Sequence, residues 1–243
     1  MGWANTWSDI LSGGNPRWKV TDVKAKEIAL SHITSHATTT TTATTSPSSS
    51  DANADTTMLH IFCPLAGDDS FVHHAWSKGH TVTSIDLVPA AVGAMRQQFG
   101  DSDDDWTKEE LPNDIVAWKH TSGRATLYSG DAFTPLTSLN GKIDAVYDKD
   151  SFGALEPSMR VDFCKRISEY VKPDGIVYTE VKYKDESNPG RTSGPPFHVE
   201  RSDLMESDKF GSMFEYVASL GEVYDVGMSG MKQTGHVLRR LAK

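Results

Sequence analysis

The chain has 243 residues, 37% hydrophobic and 23% charged, with a formal net charge of −9. That is enough for one α/β domain with a well-buried core, while the acidic balance, with no basic stripe between aromatics, weighs against a nucleic-acid partner. No apolar run approaches the roughly 20 residues of a membrane span, and Cys63 and Cys164 lack metal-ligand spacing, so they read as reduced buried thiols.

The first residues lack the apolar run of a secretory signal. Met1-Gly2-Trp3-Ala4-Asn5-Thr6 fits the loose myristoylation template. The bulky Trp3 and the lack of a following basic cluster argue against lipidation, and a cytoplasmic protein is expected. Residues 7–33 run from a turn-rich Ser12-Gly13-Gly14-Asn15-Pro16 into a helical pattern, with Val20, Val23, Ile28 and Leu30 apolar between Lys24, Lys26 and Glu27. Residues 36–57 are almost entirely Thr, Ala and Ser and offer no side chain to bury, so a disordered linker is expected. The expected division is therefore an N-terminal segment over 1–35, a linker over 36–57 and a main domain over 58–243.

From residue 59 strand and helix patterns alternate. Residues 59–63 read as a strand ended by Pro64 and Gly67, 70–78 as a helix stopped by Gly79, 81–86 as a strand, and 89–99 as a helix opened by Pro89. Residues 100–121 break the alternation with Asp101-Ser102-Asp103-Asp104-Asp105, read as a solvated acidic loop because the calcium-loop offsets are missing. Strands follow at 125–128, 142–147 and 176–181, with a helix at 157–171 before the Lys172-Pro173-Asp174-Gly175 turn. Further β candidates lie at 214–217 with 222–226, and at 235–241. The alternation predicts an α/β, Rossmann-like, seven-stranded sheet, mostly parallel, with an antiparallel edge hairpin and helices on both faces.

Ligands of such sheets bind beyond the carboxyl ends of the strands. The first strand ends in Phe62-Cys63-Pro64-Leu65-Ala66-Gly67, where glycine permits close backbone approach but neither GxGxxG nor a Walker lysine is present. The second ends in Asp86, followed by Leu87, a carboxylate placed to accept ribose hydroxyls. The third ends in Asp131-Ala132-Phe133, an acid with small and aromatic neighbours suited to an adenine edge and face. The fourth ends in Asp148-Lys149-Asp150, charges that are costly at the end of an apolar strand unless they border a cleft or pair with one another. An adenosyl cofactor without a phosphate cradle fits this set, which favours S-adenosylmethionine over a nicotinamide dinucleotide.

Here the sequence resembles the thiopurine S-methyltransferase family of class I methyltransferases. The resemblance rests on Phe62-Cys63-Pro64-Leu65-Ala66-Gly67, Lys78-Gly79-His80-Thr81-Val82, Tyr147-Asp148-Lys149, Leu155-Glu156-Pro157, Lys172-Pro173-Asp174-Gly175 and Gly194-Pro195-Pro196-Phe197-His198-Val199. It implies methyl transfer from S-adenosylmethionine to a small thiol or other soft nucleophile (thioether, thiocyanate or halide); the charge balance, the short apolar runs, the missing metal-ligand spacing and the lack of a coiled-coil or apolar helix face lead us to expect a monomer with no nucleic-acid or membrane partner and no metal. The resemblance also implies that Trp7, Trp18, Leu65, Asp86, Asp131 and Ala132 line the cofactor site, joined by Gly67, Leu87 and Phe133, and that Asp148 and Lys149 stand where cofactor and acceptor meet. Lys149 is expected to favour a thiolate by charge, with Asp150 or His198 relaying the proton. The sequence departs from the family at Leu11, Ala66, Phe71, Asp86 and Lys149, where family members carry tryptophan, cysteine, an acid, in some cases glutamate, and arginine. A compact lysine charge in place of a planar fork points away from a thiopurine acceptor, and a catalytically degenerate binding protein stays open as the alternative.

Overall fold

The structure, a computed structural model, describes residues 23–38, 58–100 and 102–242. Trp7, Trp18, the myristoylation pattern and most of the Thr-rich linker lie outside the described residues. The chain runs α1 (Val23–Thr38), β1 (His60–Pro64), α2 (Phe71–Ser77), β2 (Thr81–Asp86), α3 (Pro89–Gln97), β3 (Trp106–Leu111), β4 (Ile115–His120), β5 (Ala125–Ser129) and β6 (Ile143–Lys149). It continues through α4 (Ser151–Ala154), α5 (Arg160–Tyr170), β7 (Val171–Lys184), α6 (Arg201–Leu204), β8 (Phe214–Tyr224) and β9 (Met231–Arg240).

The strands form one sheet in the order β3-β4-β5-β2-β1-β6-β7-β9-β8. The five central strands, β5 to β7 in that order, are parallel, and antiparallel pairs flank them. Successive residues of β1 face opposite layers. Ile61 and Cys63 join Ala29, Ile33, Phe71, Val92 and Met95 beneath α1, α2 and α3, whereas Phe62 joins Phe152, Phe163 and Ile167 beneath α4 and α5. Burial on both faces is why β1 reads as a continuous apolar run rather than an alternating one. Both cysteines are free and buried within these layers, and burial pushes both thiols up.

The predicted class holds, but the sheet has nine strands rather than seven. The difference is the β3–β4 hairpin, built from the segment expected to be a loop. Its outer strand exposes Thr107, Lys108, Glu109 and Glu110, with Lys108–Glu110 and Lys119–Glu109 ion pairs. Charge of this kind protects a sheet edge from pairing with another chain, and it removes the hydrophobic alternation by which a strand is recognised. Asn113 and Asp114 make the turn with φ of 64° and 58°, a conformation these two residue types tolerate. The two tail candidates at 214–217 and 222–226 are one continuous, repeatedly bulged strand, β8. Strand β7 starts at Val171 and runs through the predicted turn at 172–175, where Asp174 has φ 63° and the register against β6 shifts.

Helix α1 runs through residues 36–38, past the boundary expected after residue 35. It packs on β6, β7 and α2, buries Ala29, Leu30 and Ile33, and is fastened by Lys26 Nζ to Ser70 Oγ and by Arg239 to the His36 carbonyl. Helix α2 ends as the sequence predicts. The Gly79 amide donates to Trp76 O and the His80 amide to Ala75 O, with Gly79 at φ 100°, the left-handed termination that glycine permits.

Candidate active site

Strand order reverses at β1, since β2 and β5 lie to one side of it and β6 and β7 to the other. The loops leaving β1, β2, β5 and β6 therefore open together at the carboxyl edge, where such a reversal makes a crevice. Two non-glycine residues there have positive φ, Leu65 at 44° and Asp150 at 63°. Such backbone is costly for a branched side chain and tends to cluster where a loop is shaped for a ligand.

Asp86 organises the β1–β2 side. Its carboxylate is buried; Oδ2 accepts from the Gly67 amide at 2.8 Å and Oδ1 from the Val88 amide at 2.9 Å. Burial raises its pKa, with the two amides pulling the other way. A carboxylate offers about four acceptor positions, so each oxygen retains capacity for a further donor. Beside it Leu87 leaves 56% of its surface exposed, an apolar side chain at the rim. The Gly130 amide donates to the Asp86 carbonyl, which brings the β5 tip alongside. There Asp131 is exposed, with Oδ1 accepting from the Phe133 amide, and Ala132 and Phe133 pack partly against the core. Leu65, Gly67, Asp86, Leu87, Asp131, Ala132 and Phe133 thus line adjacent strand tips. A buried carboxylate with unused acceptor positions, an exposed apolar rim and no phosphate cradle fit an adenosyl group.

The three charges ending β6 have different surroundings. Asp148 is 1% exposed, and its oxygens accept from the Ser151 amide at 2.9 Å and the Thr179 hydroxyl at 3.0 Å. Burial pushes its carboxyl up to about 6. Lys149 lies 3.4 Å from Asp69 Oδ2, with both side chains largely buried. Asp150 receives Lys182 Nζ at 2.8 Å and Gln233 Nε2 at 3.1 Å, while Lys182 also contacts Gln233.

His198 stands with a different group. Its Nδ1 accepts from the Lys184 amide at 2.9 Å, so its proton is on Nε2, which donates to Glu200 at 2.9 Å. Both ring nitrogens are therefore engaged beside the far end of β7, with Tyr183 packed edge-on. Lys149 and Asp150 come together; His198 does not join them.

Sequence reasoning missed the other half of this cluster. Glu180 on β7 is in register with Lys149 on β6, is 2% exposed, and accepts the Tyr178 hydroxyl at 2.8 Å on Oε1. Burial pushes its carboxyl up to about 7, against the Tyr178 hydrogen bond and the Lys149 charge. Asp69, Lys182, Gln233 and Tyr224 complete the group. The available signal was polar: Glu180 and Lys182 alternate with apolar residues in a strand buried on both faces.

The fold is that of the S-adenosylmethionine-dependent methyltransferases. It is similar to a 1,6-didemethyltoxoflavin-N1-methyltransferase from Burkholderia thailandensis, solved with S-adenosylhomocysteine (TM-score 0.63, 16% identity, 100% of this chain and 92% of that one). It is also similar to a TehB-like methyltransferase from Corynebacterium glutamicum (TM-score 0.56, 13% identity, 98% and 96%). The family profile described as Thiopurine S-methyltransferase (TPMT) matches residues 20–238, and the chain belongs to that family. Curated relatives named thiopurine S-methyltransferase include those of Shewanella sp. strain ANA-3, 31% identical over 57% of this chain and 60% of its own length, and of Rattus norvegicus, 26% identical over 61% and 60%. The matches thus span about three-fifths of these relatives' length.

Proposed function

We propose that this protein is an S-adenosylmethionine-dependent methyltransferase whose acceptor is a small thiol or another soft nucleophile such as a thioether, thiocyanate or halide. The observation that carries the reading is the pairing of two unlike sites at one sheet edge. Asp86 faces the β2 side with acceptor capacity for a diol, and a buried Lys149–Asp69–Glu180 group lies across β1.

In this reading Asp86 holds the ribose, Leu65, Gly67 and Leu87 line the adenosine, and Asp131, Ala132 and Phe133 receive the base. Trp7 and Trp18, on the segment preceding α1, cover the cofactor, with residues 58–243 as the catalytic domain. The cofactor, when bound, supplies a methyl group already activated as a sulfonium. The protein's part is alignment of the acceptor, for which proximity alone supplies on the order of 7–11 kcal/mol in good cases, and exclusion of water. Lys149 favours an anionic acceptor by charge. Asp148, held by one bond on each oxygen, fixes the β6 tip through Ser151 and Thr179. A monomeric cytoplasmic protein, with no partner beyond small molecules, belongs to the same reading.

Calorimetric titration with S-adenosylhomocysteine tests it. Micromolar binding by the intact chain supports the cofactor assignment and leads to a screen of thiols, thioethers and halides. A folded sample that binds nothing removes the assignment in favour of a non-catalytic protein of the same fold.

A further inference from the structure

Within the proposed methyltransferase reading, we infer that Glu180, rather than Asp150 or His198, takes the proton from a thiol acceptor, with Lys149 beside it and Tyr178 holding it in place. The argument begins from which oxygens are already in use. Both oxygens of Asp148 accept hydrogen bonds within the fold. Asp150 is already paired with Lys182 on one oxygen and Gln233 on the other. The Nδ1 lone pair of His198 is occupied by the Lys184 amide. Glu180 differs from all three. Tyr178 fixes Oε1 and the Tyr224 phenol also bears on the carboxyl, whereas Oε2 is buried with no hydrogen bond of ordinary geometry.

An unpartnered carboxylate oxygen in a protein interior is costly and calls for a reason. The groups facing it are Lys149, Asp69, Asp150, Tyr147, Tyr178 and Tyr224. Two of these are acids and one is a base, and the phenols stay neutral because burial raises them further. Burial and the two acids hold the Glu180 carboxyl near neutrality, about 7, where a proton acceptor works best at ordinary pH. In the step, the S–H bond breaks and its proton passes to Glu180 Oε2. The electron pair left on sulfur forms the new S–CH3 bond while the sulfonium C–S bond breaks and its pair stays on the departing thioether sulfur. Glu180 then returns the proton to solvent.

The test needs no turnover for its first arm. Carboxyl 13C NMR of the ligand-free wild-type chain should show one glutamate titrating near neutrality, lost in Glu180→Gln and moved upward in Tyr178→Phe, since the phenol's hydrogen bond favours the charged form. In the second arm, 2-mercaptoethanol and thiophenol serve as acceptors. Glu180→Gln should keep its S-adenosylhomocysteine affinity within about twofold, which also reports that it folds. It should lose roughly 100-fold in rate with the alkyl thiol and about tenfold or less with the more acidic aryl thiol. A Glu180 carboxyl titrating in the ordinary range, or equal losses with the two thiols, overturns the assignment. A wild-type chain that binds no S-adenosylhomocysteine overturns the methyltransferase reading itself, a failure seen before Glu180 is altered.

Discussion

The Gly67 amide donates a 2.8 Å hydrogen bond to Oδ2 of Asp86, tying the loop after β1 to the tip of β2. Gly67 has φ 54°, a left-handed conformation that glycine reaches without strain. One carboxylate thus both closes the crevice wall and presents acceptor capacity to it.

Asp86→Ala removes both functions. Loss of a charged hydrogen-bond acceptor costs about 1.5–3 kcal/mol, so the dissociation constant for S-adenosylhomocysteine should rise roughly 10- to 100-fold by calorimetry. Unchanged affinity would take Asp86 out of the ribose site. Because burial raises its pKa, binding should also weaken as pH falls and the carboxyl protonates.

Lys149→Ala should cut thiol methylation by at least about tenfold and shift the rise of rate with pH to higher pH, since Lys149 holds the neighbouring Glu180 carboxyl down. Lys149→Arg keeps the charge and should keep the pH midpoint, while altering acceptor preference because a planar fork replaces a point charge. A pH–rate profile of Lys149→Ala matching the wild type in height and position would remove Lys149 from the chemistry.

Stability should carry the mark of Glu180. Its carboxyl is raised from the usual 4.5 to about 7, so the neutral form suits the fold. The advantage is complete below pH 4.5 and lost as pH rises through about 7. Glu180→Gln has no such loss. Its stability relative to wild type should grow by about 3 kcal/mol across that window, read from urea unfolding at a series of pH values. Comparing the two proteins cancels other groups in the window, such as His236, whose pKa burial lowers to about 4. A difference independent of pH would show that the carboxyl is not shifted.

The Tyr170 hydroxyl, on a side chain 1% exposed, accepts the Leu136 amide at 2.8 Å. This bond anchors the loop that follows Asp131. Tyr170→Phe leaves that amide without its acceptor and should destabilise the chain by about 1–3 kcal/mol, lowering its thermal midpoint. An unchanged midpoint would mean that the loop re-forms its contacts at no cost.

Much of the scaffold was readable along the chain because its signals are local. Apolar runs, a stop at Gly79, Pro89 in the first turn of α3 and the acid closing β2 each act over a few residues, and each is where the sequence predicts. The β3–β4 hairpin was not readable, since an edge strand protected by charge has lost the alternation that identifies strands. Nor was the difference among the polar residues at the strand ends. Asp148, Asp150 and Glu180 are the same functional group in sequence. They differ only in what the neighbouring strands and turns bring to their oxygens: Ser151 and Thr179, Lys182 and Gln233, or the phenols of Tyr178 and Tyr224.

The sequence by itself determined the α/β class, because hydrophobic period and turn chemistry are properties of consecutive residues, and its short motifs carried the resemblance to the family. Only the tertiary structure decided that His198 is engaged elsewhere, that Asp150 is ion-paired and that Glu180 keeps an unpartnered oxygen. Proton affinity depends on burial and on partners brought from distant parts of the chain, and those exist only once the sheet is assembled.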